Sequence, residues 1–258
     1  MPVPALPRSV LLAAWLAVPS DPARLVPTVQ GDDEPHAVEG PDGSAADLRT
    51  FVADVAADLH DVGCLLPVPG EPPPLPPALS AAATAAGECV LLRTGGGCLA
   101  AVPDVRRFGS ALEPGHLVTW TVERVPDWRR DLLARQATLE EADRALRLGL
   151  ATATDALTRL DVARWRPGLQ DDLAALRDDR ALTTALPPGT EGARVRLLVS
   201  AARLRAVVAL ARVDDGAAVT GGQVDRRRDA LDEVDASARR ALAAAVTSDL
   251  GPLDDLPR

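Results

Sequence analysis

Apolar residues recur at helical spacing through "SAADLRTFVADVAADLHD" (44–61), where Leu48, Phe51, Val52, Val55 and Leu59 fall on one face. The pattern predicts a helix over 44–61, with Ser44 as its cap, Asp47 three positions on, and Gly63 as its stop. The run "VLLAAWLAV" (10–18), behind Arg8, predicts a buried first helix, and "ALSAAATAAGE" (78–88) a short one. "CLLPV" (64–68) suits a short strand, and Pro67, which lacks a ladder donor, puts it at an edge or an end. "EPPPLPP" (71–77) is a stiff extended connector. "CVLLRT" and "CLAAV" flank Gly95-Gly96-Gly97 as two arms of a hairpin. "LVTWTVERV" (117–125) alternates, with Val118, Trp120 and Val122 on one side and Thr119, Thr121 and Glu123 on the other.

From Asp127 the pattern turns helical. Thr138 and Glu141 carry a capping-box signature. Leu139, Leu146, Ala153 and Leu160 then repeat every seven residues, with Ala142, Leu150 and Leu157 filling the seam. A shorter helix is predicted over 169–179. Another begins near Thr190 and is apolar over much of its circumference. A last one opens at Thr220 and Gln223 and runs to about Val246. The predicted fold class is α+β: a small, partly antiparallel N-terminal sheet with helices (1–127), followed by an α-helical bundle of about four helices (128–258).

Composition sharpens this picture in three ways. The chain holds no Lys, Ile, Asn or Tyr, all AT-rich codons, so a GC-rich genome explains its all-Arg basic set. Its net charge of −9 is uneven: residues 1–127 hold 16 acidic side chains against 7 Arg, while 128–258 hold 21 of each. Phosphate backbones repel such a chain, which argues against nucleic acid as a partner. The three cysteines, Cys64, Cys89 and Cys98, form no CxxC and suit buried thiols in a reducing cytoplasm. The apolar run at 10–18 is too short to span a membrane. It invites a second reading, a signal peptide cut after Val18-Pro19-Ser20, in which the mature chain would begin near Asp21.

"EADRAL" (141–146), "LDVARWRP" (160–167), the helix around Trp15 and the Pro35-His36 pair resemble a family of proteins from high-GC actinobacteria with no assigned activity. The resemblance implies a cytoplasmic-type single chain and names no catalytic residue.

Two groups of residues stand out as candidate sites. Asp32, Asp33, Glu34 and His36 combine hard oxygen donors with an imidazole, as a divalent metal or acid–base site would. A five-residue loop seldom supplies a whole ligand set, and a polar turn opening a strand at Ala37 competes with that reading. Asp47, Asp54, Asp58 and Asp61 would form one acidic stripe on the 44–61 helix, beside His60. The like-charged Asp54–Asp58 pair costs roughly 0.2–0.5 kcal/mol, and carboxylates near a helix C-terminus oppose its dipole.

The remaining features favour structural roles. Gly95–Gly97 lacks a P-loop context and suits a hairpin tip. Arg226-Arg227-Arg228 lies among acids on a helix. Trp165 suits packing at a helix end, and His116 an entry to its strand. No GxSxG is present.

The expected function is therefore that of a non-enzymatic cytoplasmic interaction or regulatory module. Its acidic surface meets a protein partner, basic where the two touch, with no cofactor, nucleic acid or membrane. The alternative is a metal- or small-ligand-dependent protein whose site lies between the two modules around His36. Oligomeric state is left open.

Overall fold

The computed structural model describes residues 5–18, 21–110, 113–159, 179–213, 221–248 and 250, of which 152–159, 213, 221–224 and 226 are described as backbone only. Six strands form one mixed sheet: β1 (Ala37–Glu39), β2 (Ala45–Asp47), β3 (Leu59–Leu65), β4 (Cys89–Thr94), β5 (Gly97–Gly109) and β6 (Pro114–Val125). Their spatial order is β2-β1-β6-β5-β4-β3, antiparallel except for β1 beside β6. The small sheet expected from the sequence is overturned by this six-stranded sheet spanning residues 37–125. Three-residue strands such as "AVE" and "AAD" are too short to display a period, which is why β1 and β2 escape a pattern search.

Alternation along the strands splits the sheet into two faces. Val38, Val62, Cys64, Val90, Leu92, Ala101, Trp120 and Val122 are register partners of one another and lie on one face, all buried. Helix α1 (Arg8–Leu16) packs on β3, β4 and β5, and α2 (Pro22–Gln30) packs between α1 and α3 (Leu48–Ala56). Asp21 caps α2, accepting from the Ala23 N–H at 2.9 Å, with Pro22 at its first position. The start of α1 has a less local cap. The carboxylate of buried Glu88, at the head of β4, accepts the Ser9 N–H at 2.7 Å, a favourable place for negative charge.

The opposite face carries Cys89, Leu91, Ala100 and Val102, which pack with Leu79 and Ala83 of α4 (Pro77–Ala86) and with Trp128 and Leu132. Leu132 lies on α5 (Arg129–Arg135), so this helix covers the sheet. Trp128 fixes the approach by donating its indole N–H to the Leu92 carbonyl at 3.3 Å.

The predicted helix over 44–61 is also corrected. Only Leu48–Ala56 is helical. Residues 45–47 pair as β2, and Leu59–Leu65 form β3. Its cap is Asp47, whose carboxylate accepts the Thr50 N–H at 2.7 Å, in place of Ser44. Leu59 keeps helical spacing by coincidence and begins a strand.

The chain forms two compact units. The sheet unit comprises Pro7–Gln136, Leu186–Gly189 and the segment from Val246 on. The other is helical: α6 (Leu139–Arg159), α7 (Arg180–Thr184), α8 (Gly192–Val213) and α9 (Gly221–Val246). The Thr138–Glu141 capping box forms reciprocally. Thr138 Oγ1 accepts the Glu141 N–H at 3.2 Å, and the Glu141 carboxylate accepts the Thr138 N–H at 2.9 Å. Helices α8 and α9 are joined by buried Asp235, which accepts from Arg205 and Arg239 at 3.1 Å each. The predicted helix over 169–179, the Thr220–Gln223 cap and Trp165 lie outside the described residues or side chains. Among the described residues no helix is long and apolar enough to cross a membrane.

Candidate functional site

The short strands β1 and β2 turn back on each other through Gly40–Ser44, and the β4–β5 hairpin ends in Gly95–Gly96. Between these two turns and the C-terminal end of α3 lies a cleft of about 450 Å³. Val38, Phe51, Val55, Leu99 and Val122 give it an apolar floor. Its charged groups are Asp42, Asp54 and Asp58 against one cation, Arg124. Arg124 donates to the Gly96 carbonyl at 2.8 Å and so braces the hairpin tip. The Asp58 carboxylate lies where a side chain at Gly95 would stand, so it closes over the tip of the hairpin. Asp42 is held below its ordinary range, chiefly by hydrogen bonds from Ser44. The arrangement concentrates negative charge over an apolar surface, which suits a cation on an apolar stem.

The structure disperses the expected acidic stripe. Asp54 and Asp58 are exposed and share the cleft. Asp47 is exposed but spent on its cap, and the Thr50 amide and hydroxyl hold its carboxyl low. Asp61 is buried in β3, ion-paired with Arg93 and 3.9 Å from buried Arg129. Asp127 completes that network, 2.7 Å from Arg129, whose hydrogen bond keeps the Asp127 carboxyl low. His60 is exposed, 3.6 Å from Asp58.

The 32–36 loop divides similarly. Asp32 and Glu34 are exposed, whereas Asp33 gathers three cations or potential cations. Arg8 Nε lies 2.6 Å from Asp33 Oδ2, His36 Nε2 3.3 Å from the same oxygen, and His116 Nδ1 3.2 Å from Oδ1. Burial alone would raise the Asp33 carboxyl. Arg8, and His36 after it, outweigh burial and hold it below its ordinary range. His36 itself is buried, and its Nδ1 accepts the Trp120 indole N–H at 3.1 Å. An indole N–H only donates, so Nδ1 is bare and the ring proton sits on Nε2, facing Asp33. Both His36 nitrogens are thereby committed. Among the described residues no group of three or more His, Cys, Asp or Glu side chains is placed to hold a metal ion.

Several partners were out of reach of sequence reasoning. Glu88, Arg8 and Arg129 carry no motif, and His116 joins Asp33 only through the parallel β1–β6 pairing. Arg227 donates to the Ala211 carbonyl near the end of α8 at 2.8 Å, and Arg228 is exposed. Cys64 and Cys89 are buried and Cys98 half-buried, all as free thiols. Burial pushes the Cys64 and Cys89 thiols well up, away from the thiolate that nucleophilic chemistry needs.

No curated protein and no solved structure matches the chain. Two family models do: residues 9–132 match the N-terminal domain of Rv1486c-like protein, and residues 140–243 match its C-terminal domain. With both domain models matched in order over most of its length, the chain belongs to the Rv1486c-like protein family.

Proposed function

We propose that this is a non-enzymatic, cytoplasmic protein-interaction module that takes a basic side chain of a partner protein into the cleft between α3 and the two turns. The observation that carries this reading is the placement of Asp54 and Asp58. They are exposed, like-charged, and set over an apolar floor beside Asp42, with Arg124 as the cleft's single cation. An Arg or Lys side chain matches both features, its methylenes on Phe51, Leu99 and Val122 and its charged head among the carboxylates. Free thiols at all three cysteines support a reducing compartment. The commitment of both His36 nitrogens favours this reading over one centred on His36 as a ligand.

The test is a titration of the full chain with an arginine-containing peptide, set against the same peptide with Glu in place of Arg. Saturable binding of the Arg peptide is expected, weakening with salt and at least tenfold weaker in Asp54→Asn/Asp58→Asn at unchanged melting temperature. Equal affinity in the double variant would sink the proposal.

A further inference from the structure

A line of polar contacts runs from the core of the sheet unit to its surface. It begins at Trp120, which can only donate, and whose indole N–H goes to His36 Nδ1 at 3.1 Å. The His36 proton therefore sits on Nε2, 3.3 Å from Asp33 Oδ2. Against the pull of burial, Arg8 keeps Asp33 below its ordinary range, so the carboxylate is ionised at neutral pH and only accepts. Its other oxygen, Oδ1, lies 3.2 Å from Nδ1 of His116. In its neutral form His116 thus holds its proton on Nδ1, toward Asp33, and Nε2 is left with a bare lone pair. Each tautomer in the line follows from the one before it.

The outer end of this line is open. Trp120 and His36 are buried and the Asp33 side chain is 8% exposed, whereas His116 keeps 37% of its side chain in solvent. The His116 backbone is held by the β5–β6 ladder, and its carbonyl accepts the Glu34 N–H at 3.0 Å. Its direct partner across that ladder is Arg107, so the two side chains leave the same face of the sheet as neighbours. Arg107 is exposed, and among the described residues no carboxylate pairs with it. A fixed nucleophilic nitrogen, backed by a carboxylate and flanked by an uncommitted guanidinium, suits attack on a centre that carries negative charge. The guanidinium fork matches phosphoryl oxygens, which sets a phosphoryl group apart from an uncharged acyl group.

We propose that His116 is a phosphoryl-acceptor site, taking a phosphoryl group onto Nε2 from an N-phosphoryl donor. The Nε2 lone pair forms the new bond to phosphorus. The donor's own bond between phosphorus and nitrogen breaks, and its electron pair leaves with the donor nitrogen. That nitrogen is already protonated in the donor, so it departs as a neutral amine. The ring then bears the phosphoryl group on Nε2 and its original proton on Nδ1. Asp33 balances the resulting imidazolium charge, and Arg107 balances the phosphoryl oxygens. Asp33 is a positioning residue, acting on the donor only through His116. The site shares no residue with the cleft of Asp54 and Asp58 and does not depend on it.

The test is labelling of the full chain with phosphoramidate, followed by peptide mass spectrometry and phosphorus NMR under alkaline conditions, where phosphoimidazoles survive. His60 is the internal reference, since its side chain is the more exposed at 47% and turns Nε2 toward Asp58 at 3.6 Å. His116 is expected to be labelled about tenfold faster than His60, and on Nε2. Arg107→Ala should keep the melting temperature and slow His116 about tenfold with His60 unchanged, as loss of one charge-assisted contact does. Asp33→Asn keeps an oxygen for Arg8 and His36 and so turns its amide N–H2 toward His116. The His116 proton should then move to Nε2, seen by nitrogen NMR of the ring, and its labelling should fall. Labelling of His116 no faster than His60, an Nδ1 product in the wild type, or an Arg107→Ala rate equal to the wild type overturns the proposal.

Discussion

The indole N–H of Trp120 donates to Nδ1 of His36 at 3.1 Å, with both rings buried. A buried imidazole is thus fixed in one tautomer by a donor that has no alternative role. Proton uptake at Nδ1 would break the Trp120 bond and place a cation in a water-free setting. Burial already holds the His36 pKa below its ordinary 6.5, against the pull of Asp33.

His36 should govern stability just below neutrality. Above pH 6.5 the imidazole is neutral in both folded and unfolded chains and contributes no pH dependence. As the pH falls from there toward the depressed folded value, the unfolded chain takes the proton first, and stability is lost across that window. Asp33 acts lower. Its folded carboxyl is depressed, so its contribution is complete above about 3.8 and is lost as the pH falls through the folded value. Urea midpoints on either side of pH 6.5 should therefore drop for the wild type and drop less for His36→Gln. Equal drops would show that another group titrates.

His36→Ala is expected to cost more than His36→Gln at neutral pH. Alanine leaves the Trp120 N–H buried without an acceptor, about 1–3 kcal/mol, and adds the loss of ring packing. Glutamine keeps an acceptor. Near-UV circular dichroism of Trp120 and urea unfolding of both variants would check the order.

Asp54 and Asp61 stand on one predicted stripe and should behave oppositely. Asp61→Ala takes the carboxylate from Arg93, while Arg129 keeps Asp127, and is expected to cost about 2 kcal/mol, short of a fully buried pair because Arg93 keeps part of its surface in water. Asp54→Ala, at an exposed helical position, should stay within about 0.5 kcal/mol. Denaturant unfolding of the two single variants decides it.

That contrast shows where the sequence was legible and where it stopped. Segments with a strong local signal declared themselves: the apolar arms of the β4–β5 hairpin about its glycine tip, the alternating Trp120 strand, the Thr138 capping box and the last long helix. The error over 44–61 came from a short helix framed by short strands. Leu59 and Asp61 continue a helical count that the chain abandons at Ala56, and charge pattern alone does not separate a solvated Asp58 from a buried Asp61. The Asp33 cluster was half visible, since Asp33 and His36 are near in sequence. Arg8, His116 and Trp120 reach it only through tertiary pairing. The cleft itself is made by the β1–β2 turn, which lies between strands too short to leave a pattern.

Gly63 carries the last prediction. It sits in β3 beneath α5, and a Cβ there would meet Leu132 Cδ2 at 2.7 Å and the Trp128 ring at 3.1 Å. Elsewhere in a strand, alanine in place of glycine gains roughly 0.5–1 kcal/mol by restricting the unfolded chain. Here Leu132 and Trp128 are both buried, and Trp128 is pinned by its bond to the Leu92 carbonyl, so neither can withdraw freely. Overpacking of this kind costs about 1–3 kcal/mol and should outweigh the entropic gain. Gly63→Ala is therefore expected to destabilise. Its cost should shrink in a Leu132→Ala background, where the methyl group finds the space that leucine vacates, a coupling that urea unfolding of the wild type, both single variants and the double variant would measure. Strict additivity across that cycle would mean that the strand at Gly63 gives way before α5 does.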